Sequence, residues 1–219
     1  MGINDKNLEM LEGVFKRYPI SSVLELGAQN FYQNYGPVRY GMYASNYYRL
    51  KGVQEYQCID LNGENGAIAL DLSVPHTLPK FDMVTDFGTS EHVAAFVREE
   101  EVLAVDPTND TWKNSPNHVA GMEALYNCWT TKYNAARILI ASANPATGHW
   151  PKHGHFYYTT EFYRVLASLT GMTPVFIGEH YALGNTKDGK EVSCVLNVRG
   201  SHWISLQEFA KAFEHIYPE

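Results

Sequence analysis

The stretch Ser22–Asn30, with the sequence SVLELGAQN, decides the predicted fold. Residues 22–26 form a short, mostly apolar run, which is typical of a strand buried on both faces of a parallel sheet. Glu25 places an acid in this run, and Gly27 ends it where the chain can turn sharply and a ligand can approach the backbone. A strand that ends at a glycine beside a carboxylate often begins a nucleotide site. A buried strand followed by an ordinary turn explains the same residues equally well.

The composition predicts one soluble globular domain. A chain of 219 residues, 45% hydrophobic and 19% charged, is long and apolar enough to bury a substantial core. The formal net charge of −7 and the lack of a basic run argue against nucleic acid as a partner. No apolar run is long enough to span a membrane, and the charged N-terminus is unlike a signal peptide. We therefore expect a cytoplasmic protein with no membrane partner, whose oligomeric state the sequence does not predict.

The cysteines predict a reducing compartment. Cys58, Cys128 and Cys194 are odd in number and widely spaced, and two of them lie in apolar runs. We expect them to be packed thiols and not disulfides.

The order of the predicted elements indicates an α/β fold. Strands are predicted at 22–26, 56–61, 67–72, 81–87, 137–142, 173–180 and 191–199. Helices are predicted at 4–17, 45–50 and 122–133, after a Thr159 cap, and after a capping box of Ser205 with Glu208. Alternation of strands and helices predicts a mostly parallel sheet in three layers, with a terminal antiparallel hairpin turning at Asp188-Gly189. We expect a single domain over 1–219, with an insertion or lid at 94–120.

Several predicted strands end beside a carboxylate. Asp60 with Leu61 closes the second strand, Asp71 with Leu72 closes the third, and Asp86 with Phe87 closes the fourth. The connection after the first strand is rich in tyrosines, which either line a pocket or pack a long loop. These tyrosines are Tyr32, Tyr35, Tyr40, Tyr43, Tyr47 and Tyr48.

With these features the sequence resembles the class I S-adenosylmethionine-dependent methyltransferases over nearly its whole length. The resemblance implies a Rossmann-like sheet of about seven strands and S-adenosyl-L-methionine as the cofactor. It also implies that the first loop lies against the methionine part, that the acid after strand two holds the ribose hydroxyls, and that an acid after strand three reaches the adenine amino group. The cofactor-binding residues implied are Glu25, Gly27, Ala28, Gln29, Asp60, Leu61, Asp71, Leu72, Asp86 and Phe87.

The first loop departs from the pattern of this family. The family usually offers two or three glycines there, whereas this chain has Ala28, Gln29 and Asn30 after Gly27. A non-catalytic methyltransferase-like binding module with a degenerate cofactor loop is therefore the alternative. A nicotinamide-dependent oxidoreductase is a third candidate, which the missing glycines and the reversed hairpin disfavour.

Acidic and imidazole side chains follow strands four and five. Glu91 and His92 come just after strand four, and a loop after strand five carries His149, His153 and His155. Imidazole suits a general base that takes a proton from the acceptor, with His92 the first choice and His153 or His155 the second. The non-catalytic alternative is that His92 caps a local turn and that the histidines of the loop after strand five face solvent.

The same residues are similar to those of the metal-dependent O-methyltransferases of small-RNA ends and quinone biosynthesis. Gly88 occupies the position of that family's first glutamate, so the ligand set is incomplete and we predict no metal-binding residues. A divalent metal is a further candidate but not the favoured one. The predicted function is methyl transfer from S-adenosyl-L-methionine to oxygen or nitrogen of a small polar acceptor, such as a sugar or another metabolite.

Overall fold

Seven strands form one sheet in the computed structural model, which describes residues 2–96, 116–143, 156–181 and 190–213. They are β1 (Ser22–Leu26), β2 (Glu55–Asp60), β3 (Ile68–Ala69), β4 (Phe81–Phe87), β5 (Ala136–Ala143), β6 (Thr173–Tyr181) and β7 (Lys190–Asn197). Their order across the sheet is β3-β2-β1-β4-β5-β7-β6. The pairings from β3 to β5 are parallel, and β7 is antiparallel to both of its neighbours. The predicted mostly parallel sheet with a terminal antiparallel hairpin is confirmed.

Five α-helices of the described residues pack on the two faces of this sheet. They are α1 (Asp5–Arg17), α2 (Ala44–Leu50), α3 (Pro116–Ala135), α4 (Thr160–Thr170) and α5 (Leu206–Phe213). Short 3₁₀ turns cover Glu64–Gly66 and Ser90–Phe96. None of the described helices is long and apolar enough to cross a membrane.

The predicted helix caps are present. The side chain of Thr159 accepts a hydrogen bond from the backbone N–H three residues on, and α4 ends at Gly171 with a φ of +73°. Ser205 and Glu208 form a reciprocal capping box, with distances of 2.8 and 3.2 Å between side-chain oxygen and backbone nitrogen. These caps satisfy backbone donors that a helix start leaves without a partner.

The sheet separates two hydrophobic clusters. Because successive side chains of a strand point to opposite faces, Leu24 and Val84 pack against α3, α4 and α5, whereas Val23 and Met83 pack against α1 and α2. Tyr47 and Tyr48 are buried in the second cluster, and Cys58, Cys128 and Cys194 are buried free thiols.

Ile3 and Asn4, just before α1, connect the loop after β1 to the terminal hairpin. The backbone N–H of Ile3 donates to the carbonyl oxygen of Asn30 at 2.8 Å, and the N–H of Tyr32 donates to the oxygen of Ile3 at 3.1 Å. Asn4 Nδ2 donates to the buried carboxylate of Glu191 on β7 at 2.7 Å. The start of α1 therefore contacts both the loop after β1 and the terminal hairpin.

Two predicted elements differ in length from the observed ones. The strand predicted at 67–72 pairs only over Ile68–Ala69, because β2 ends at Asp60 and leaves no partner beyond that point. The helix predicted at 122–133 already begins at Pro116, where proline is tolerated because the first turn needs no N–H. The turn predicted at 188–189 and residues 97–115 of the predicted insertion lie outside the described residues.

Candidate functional site

A cavity of about 250 Å³ lies at the carboxyl edge of β1, β2 and β4. The parallel strands end side by side there, so their following loops meet. The lining residues are Gly27, Ala28, Gln29, Asp60, Leu61, Leu70, Asp71, Leu72, Gly88, Thr89, His92 and Val93. Most of the residues that the sequence implied for the cofactor are therefore brought together around one cavity.

Gly27 is required by the geometry of the first loop. Its φ is +74°, a conformation that side chains with a Cβ rarely adopt. A Cβ at this position would lie 2.8 Å from Gln29 Nε2 and would also clash with Thr89 Oγ1. The absence of a side chain lets the loop close onto the turn after β4.

Asp60 holds the first loop in place from the end of β2. Its Oδ2 accepts a hydrogen bond from the backbone N–H of Ala28 at 3.0 Å, and its Oδ1 accepts only a long bond of 3.5 Å from the N–H of Asn62. The carboxylate also lines the cavity. Since a carboxylate can accept about four hydrogen bonds, Asp60 has acceptor capacity left for hydroxyl groups of a ligand.

The side chain of Gln29 folds back over the turn. Its Nε2 lies 3.5 Å from both the Leu26 carbonyl oxygen and Thr89 Oγ1, and that hydroxyl itself donates to Leu26. Two acceptors facing one atom identify it as the amide nitrogen. The buried Oε1 has no hydrogen-bond partner among the described residues, and neither has Oδ1 of Asn30. The first loop thus offers two acceptor oxygens that the described residues leave unsatisfied.

Asp71 also lines the cavity, together with its neighbours Leu70 and Leu72. Its Oδ1 accepts a hydrogen bond from the backbone N–H of Ser73 at 2.8 Å, which forms a local turn. The segment after β3 therefore contributes apolar side chains and one carboxylate to the lining.

Asp86 does not line the cavity. It is buried, and its Oδ2 accepts a hydrogen bond from Lys132 Nζ at 2.8 Å. Its Oδ1 accepts from the backbone N–H groups of Thr89 and Ser90 at 3.0 and 3.2 Å. Burial favours the neutral acid, but the ammonium of Lys132 and these hydrogen bonds outweigh it and lower the pKa of Asp86. Asp86 therefore positions the loop after β4, while its neighbour Phe87 packs in the core.

Glu25 lies behind the first loop and not in the cavity lining. Its Oε2 accepts hydrogen bonds from the Tyr56 hydroxyl at 2.6 Å and from the Gln29 N–H at 3.4 Å. Because the side chain is fully buried, its pKa is raised to about 8. The carboxyl is thus a structural support for the loop, held largely neutral at physiological pH.

His92 is the predicted catalytic residue that reaches the cavity. Its side chain is 37% exposed, and Nε2 lies 3.5 Å from Oε1 of Glu91, whose side chain is completely buried. This is an ion-pair distance, so the carboxylate of Glu91 can attract the imidazole of His92 when the imidazole is protonated. His149, His153 and His155 lie outside the described residues. Within the described residues no group of three His, Cys, Asp or Glu side chains could hold a metal ion.

The reversed strand β7 inside a parallel sheet and the cavity at the carboxyl edge decide the fold type. It is the class I methyltransferase fold.

Comparisons with known proteins find only distant similarities. No protein-family profile matches the sequence, and no curated protein sequence matches it. The structure is similar to 1,6-didemethyltoxoflavin-N1-methyltransferase of Burkholderia thailandensis, solved with 1,6-didemethyltoxoflavin and S-adenosylhomocysteine, at 14% identity and a TM-score of 0.48, over 86% of this chain and 74% of that one. It is also similar to the N-methyltransferase NodS of Bradyrhizobium japonicum WM9, solved in complex with S-adenosylhomocysteine. The identity is 14% and the TM-score 0.46, over 88% of this chain and 87% of that one. Likenesses this weak carry no argument about activity.

Two structural contributors were missed by sequence reasoning. Thr89 joins the first loop to the turn after β4. Its position directly after Gly88 was a signal, since ligands of open α/β sheets bind outside the carboxyl ends of the strands. Lys132 neutralises Asp86 from α3. The available signal was its helical spacing, three residues after Trp129 and four after Cys128, which places it on their face of the helix. For the tyrosines after β1 the sequence left pocket lining and packing open. None of them lines this cavity: Tyr47 and Tyr48 pack in the core, and Tyr32, Tyr35, Tyr40 and Tyr43 are exposed.

Proposed function

We propose that this protein transfers a methyl group from S-adenosyl-L-methionine to a small polar acceptor. The observation that carries the proposal is the cavity at the carboxyl edge, where the first loop, Asp60 and Asp71 come together. Two carboxylates around one cavity suit a ligand that carries both hydroxyls and an amino group.

The residues present fit that cofactor. Asp60 would accept hydrogen bonds from the ribose hydroxyls, and Leu70 and Leu72 would pack against the adenine beside Asp71. The unsatisfied Oε1 of Gln29, a residue that lines the cavity, would accept a hydrogen bond from the ammonium of the methionine part. The side chain of Gln29 would then provide a hydrogen-bond acceptor that backbone groups provide in a glycine-rich loop.

The bound cofactor would supply a methyl group activated by a positively charged sulfonium. The chain's own task is to align the acceptor and to remove its proton. His92 would take that proton from the acceptor's oxygen or nitrogen and so leave it a lone pair for the methyl group; the carbon–sulfur bond of the cofactor would break in the transfer, with S-adenosylhomocysteine as the second product. Glu91, 3.5 Å from His92 Nε2, would stabilise the imidazolium formed.

The competing proposal is a binding module without activity. The observation in its favour is the Gln29 side chain, which folds back against Gly27. Against it stands the cavity beside that glycine, which a fully occluded loop would close.

Isothermal titration calorimetry with S-adenosylmethionine and S-adenosylhomocysteine tests the proposal. We expect saturable binding that Asp60→Ala abolishes. Glu55→Ala is the matched control, because Glu55 is an exposed acid at the other end of the same strand. No heat and no thermal shift at millimolar ligand would show the proposal to be wrong.

A further inference from the structure

A second cavity, of about 330 Å³, lies at the amino edge of the sheet. Its walls include Lys80 before β4, Tyr133 and Arg137 around the junction of α3 and β5, and Arg199 and Ser201 after β7. The seven residues of β4 separate this edge from the carboxyl edge, a distance of about 20 Å at roughly 3.3 Å per residue. The amino-edge cavity is therefore a different site from the one proposed for methyl transfer.

The amino-edge cavity concentrates positive charge in an acidic protein. The chain has 17 Lys and Arg against 24 Asp and Glu, yet Lys80, Arg137 and Arg199 line this one cavity, and no acid stands among the described residues that line it. Asp82 neutralises Arg137 from outside the lining, with 2.7 Å between Oδ1 and Nη1. Two positive charges remain in excess.

Lys80 is exposed, and the contacts that its ammonium makes with the described residues are long ones, among them 5.8 Å to the centroid of the Tyr133 ring. Its Nζ lies 3.4 Å from each of the carbonyl oxygens of Tyr133 and Ala136, long distances for a charged hydrogen bond. Partial burial and the nearby charge of Arg137 both lower the pKa of Lys80. A bound anion would relieve this repulsion, because it would offer the ammonium a charged acceptor.

One wall of the cavity is a fixed aromatic surface. The ring of Tyr133 stacks on that of Trp203 with centroids 4.9 Å apart, and the Tyr133 hydroxyl lies 3.2 Å from Ser201 Oγ. The Ser201 hydroxyl donates its one hydrogen within the protein, which leaves the Tyr133 hydroxyl as a neutral donor beside the three cations.

We propose that the amino-edge cavity binds the phosphate group of a small molecule through Lys80, Arg137 and Arg199. The planar fork of arginine matches phosphate oxygens in pairs, and a lysine adds a point charge. Two excess positive charges balance a phosphate monoester near neutral pH. A polyanion such as nucleic acid is disfavoured, because the rest of a chain of net charge −7 would repel it. This inference does not depend on the proposed methyl transfer.

Calorimetry at constant ionic strength, with inorganic phosphate, phenyl phosphate and acetate as probes, tests the site. We expect saturable binding of phosphate and none of acetate. Equal affinity for the two phosphate probes would identify free phosphate as the ligand, and tighter binding of phenyl phosphate would identify an esterified one that uses Tyr133.

Matched variants locate the binding. Arg199→Gln should weaken phosphate binding roughly tenfold, the loss of one charge-assisted hydrogen bond, and Lys80→Met should do the same. Arg164→Gln removes the same charge from an exposed site on α4, where Arg164 is 58% exposed, and should bind like the wild type. Unchanged thermal unfolding of Arg199→Gln would show an intact fold. Wild-type protein without saturable phosphate binding, or equal losses in Arg199→Gln and Arg164→Gln, would overturn the proposal.

Discussion

Lys132 and Asp86 form a fully buried ion pair, with 2.8 Å between Nζ and Oδ2 and side-chain exposures of 0% and 1%. The same ammonium lies 3.3 Å from the centroid of the Trp129 ring. The other oxygen of Asp86 holds the backbone of Thr89, which lines the candidate cofactor cavity. One buried charge pair therefore links helix α3 to the loop that shapes the site.

Removing one member of this pair should be strongly destabilising. Lys132→Met leaves the carboxylate of Asp86 buried without its counter-charge, which should lower the free energy of unfolding by about 3–5 kcal/mol. Urea denaturation measures this loss. The double variant Lys132→Met, Asp86→Asn should recover part of it, because neither charge then remains in the core. A single variant as stable as the wild type would contradict the assigned role.

Gly27→Ala should cost more stability than Gly41→Ala. Both glycines have positive φ, +74° and +76°, so each substitution should cost about 1–2 kcal/mol in backbone strain. Only Gly27 has Gln29 and Thr89 where the new methyl would lie, whereas nothing lies within 4 Å at Gly41. We expect a further loss of roughly 1–3 kcal/mol for Gly27→Ala from this crowding. Equal unfolding free energies for the two variants would contradict the close approach seen at Gly27.

The buried carboxyl of Glu25 should make stability depend on pH. Its pKa is raised by burial from the ordinary 4.5 to about 8, so between these values the folded protein keeps a proton that the unfolded chain releases. The contribution of protonated Glu25 to the free energy of unfolding is fully present below pH 4.5 and is lost as pH rises through about 8. Between these two values the free energy of unfolding should fall by at most about 1.4 kcal/mol per pH unit. Glu25→Gln should gain stability relative to the wild type as pH rises across this range. Parallel stability curves for the two proteins would contradict a neutral Glu25.

Gln29 distinguishes the two proposed functions. If its Oε1 binds the ammonium of the cofactor, Gln29→Leu should weaken S-adenosylhomocysteine roughly tenfold and leave methylthioadenosine, which lacks the amino-acid part, unchanged. Calorimetry with both ligands measures the difference. Tighter binding of S-adenosylhomocysteine by Gln29→Gly would instead identify an occluding side chain.

His92→Ala should separate binding from turnover. We expect S-adenosylhomocysteine affinity close to that of the wild type, because His92 acts on the acceptor. Incorporation of labelled methyl into the small molecules of a cell extract should fall by about a hundredfold or more, the usual contribution of a general base. His202→Ala is a control for the loss of an exposed imidazole outside the cavity lining. Equal incorporation by His92→Ala and the wild type would exclude His92 as the base.

The sequence predicted the elements whose signals are local. The bounds of β1 and β4 were predicted at 22–26 and 81–87, because each is an apolar run closed by a glycine. Asp60 was predicted to close the second strand, and the end of a parallel strand fixes where the next side chains lie, so its carboxylate lines the cavity.

The features that the sequence could not show are contacts between side chains that lie far apart along the chain. Asp86 looks like any acid at a strand end until Lys132, 46 residues later, is seen to neutralise it. The same is true of Lys80, Arg137 and Arg199, which form no basic run and meet only in the folded protein. Pairing between distant side chains leaves no periodic signal for sequence reasoning to read.

The hydrogen bond from Asn4 to Glu191 also has a consequence during synthesis. These residues are 187 positions apart, and a ribosome adds roughly 5–20 residues per second. Helix α1 therefore leaves the ribosome roughly 10 to 40 seconds before its anchor on β7 exists. During that interval the first loop, which pairs with Ile3, lacks its final support. A nascent chain stalled before residue 191 should leave the first helix open to protease, and release of the complete chain should protect it.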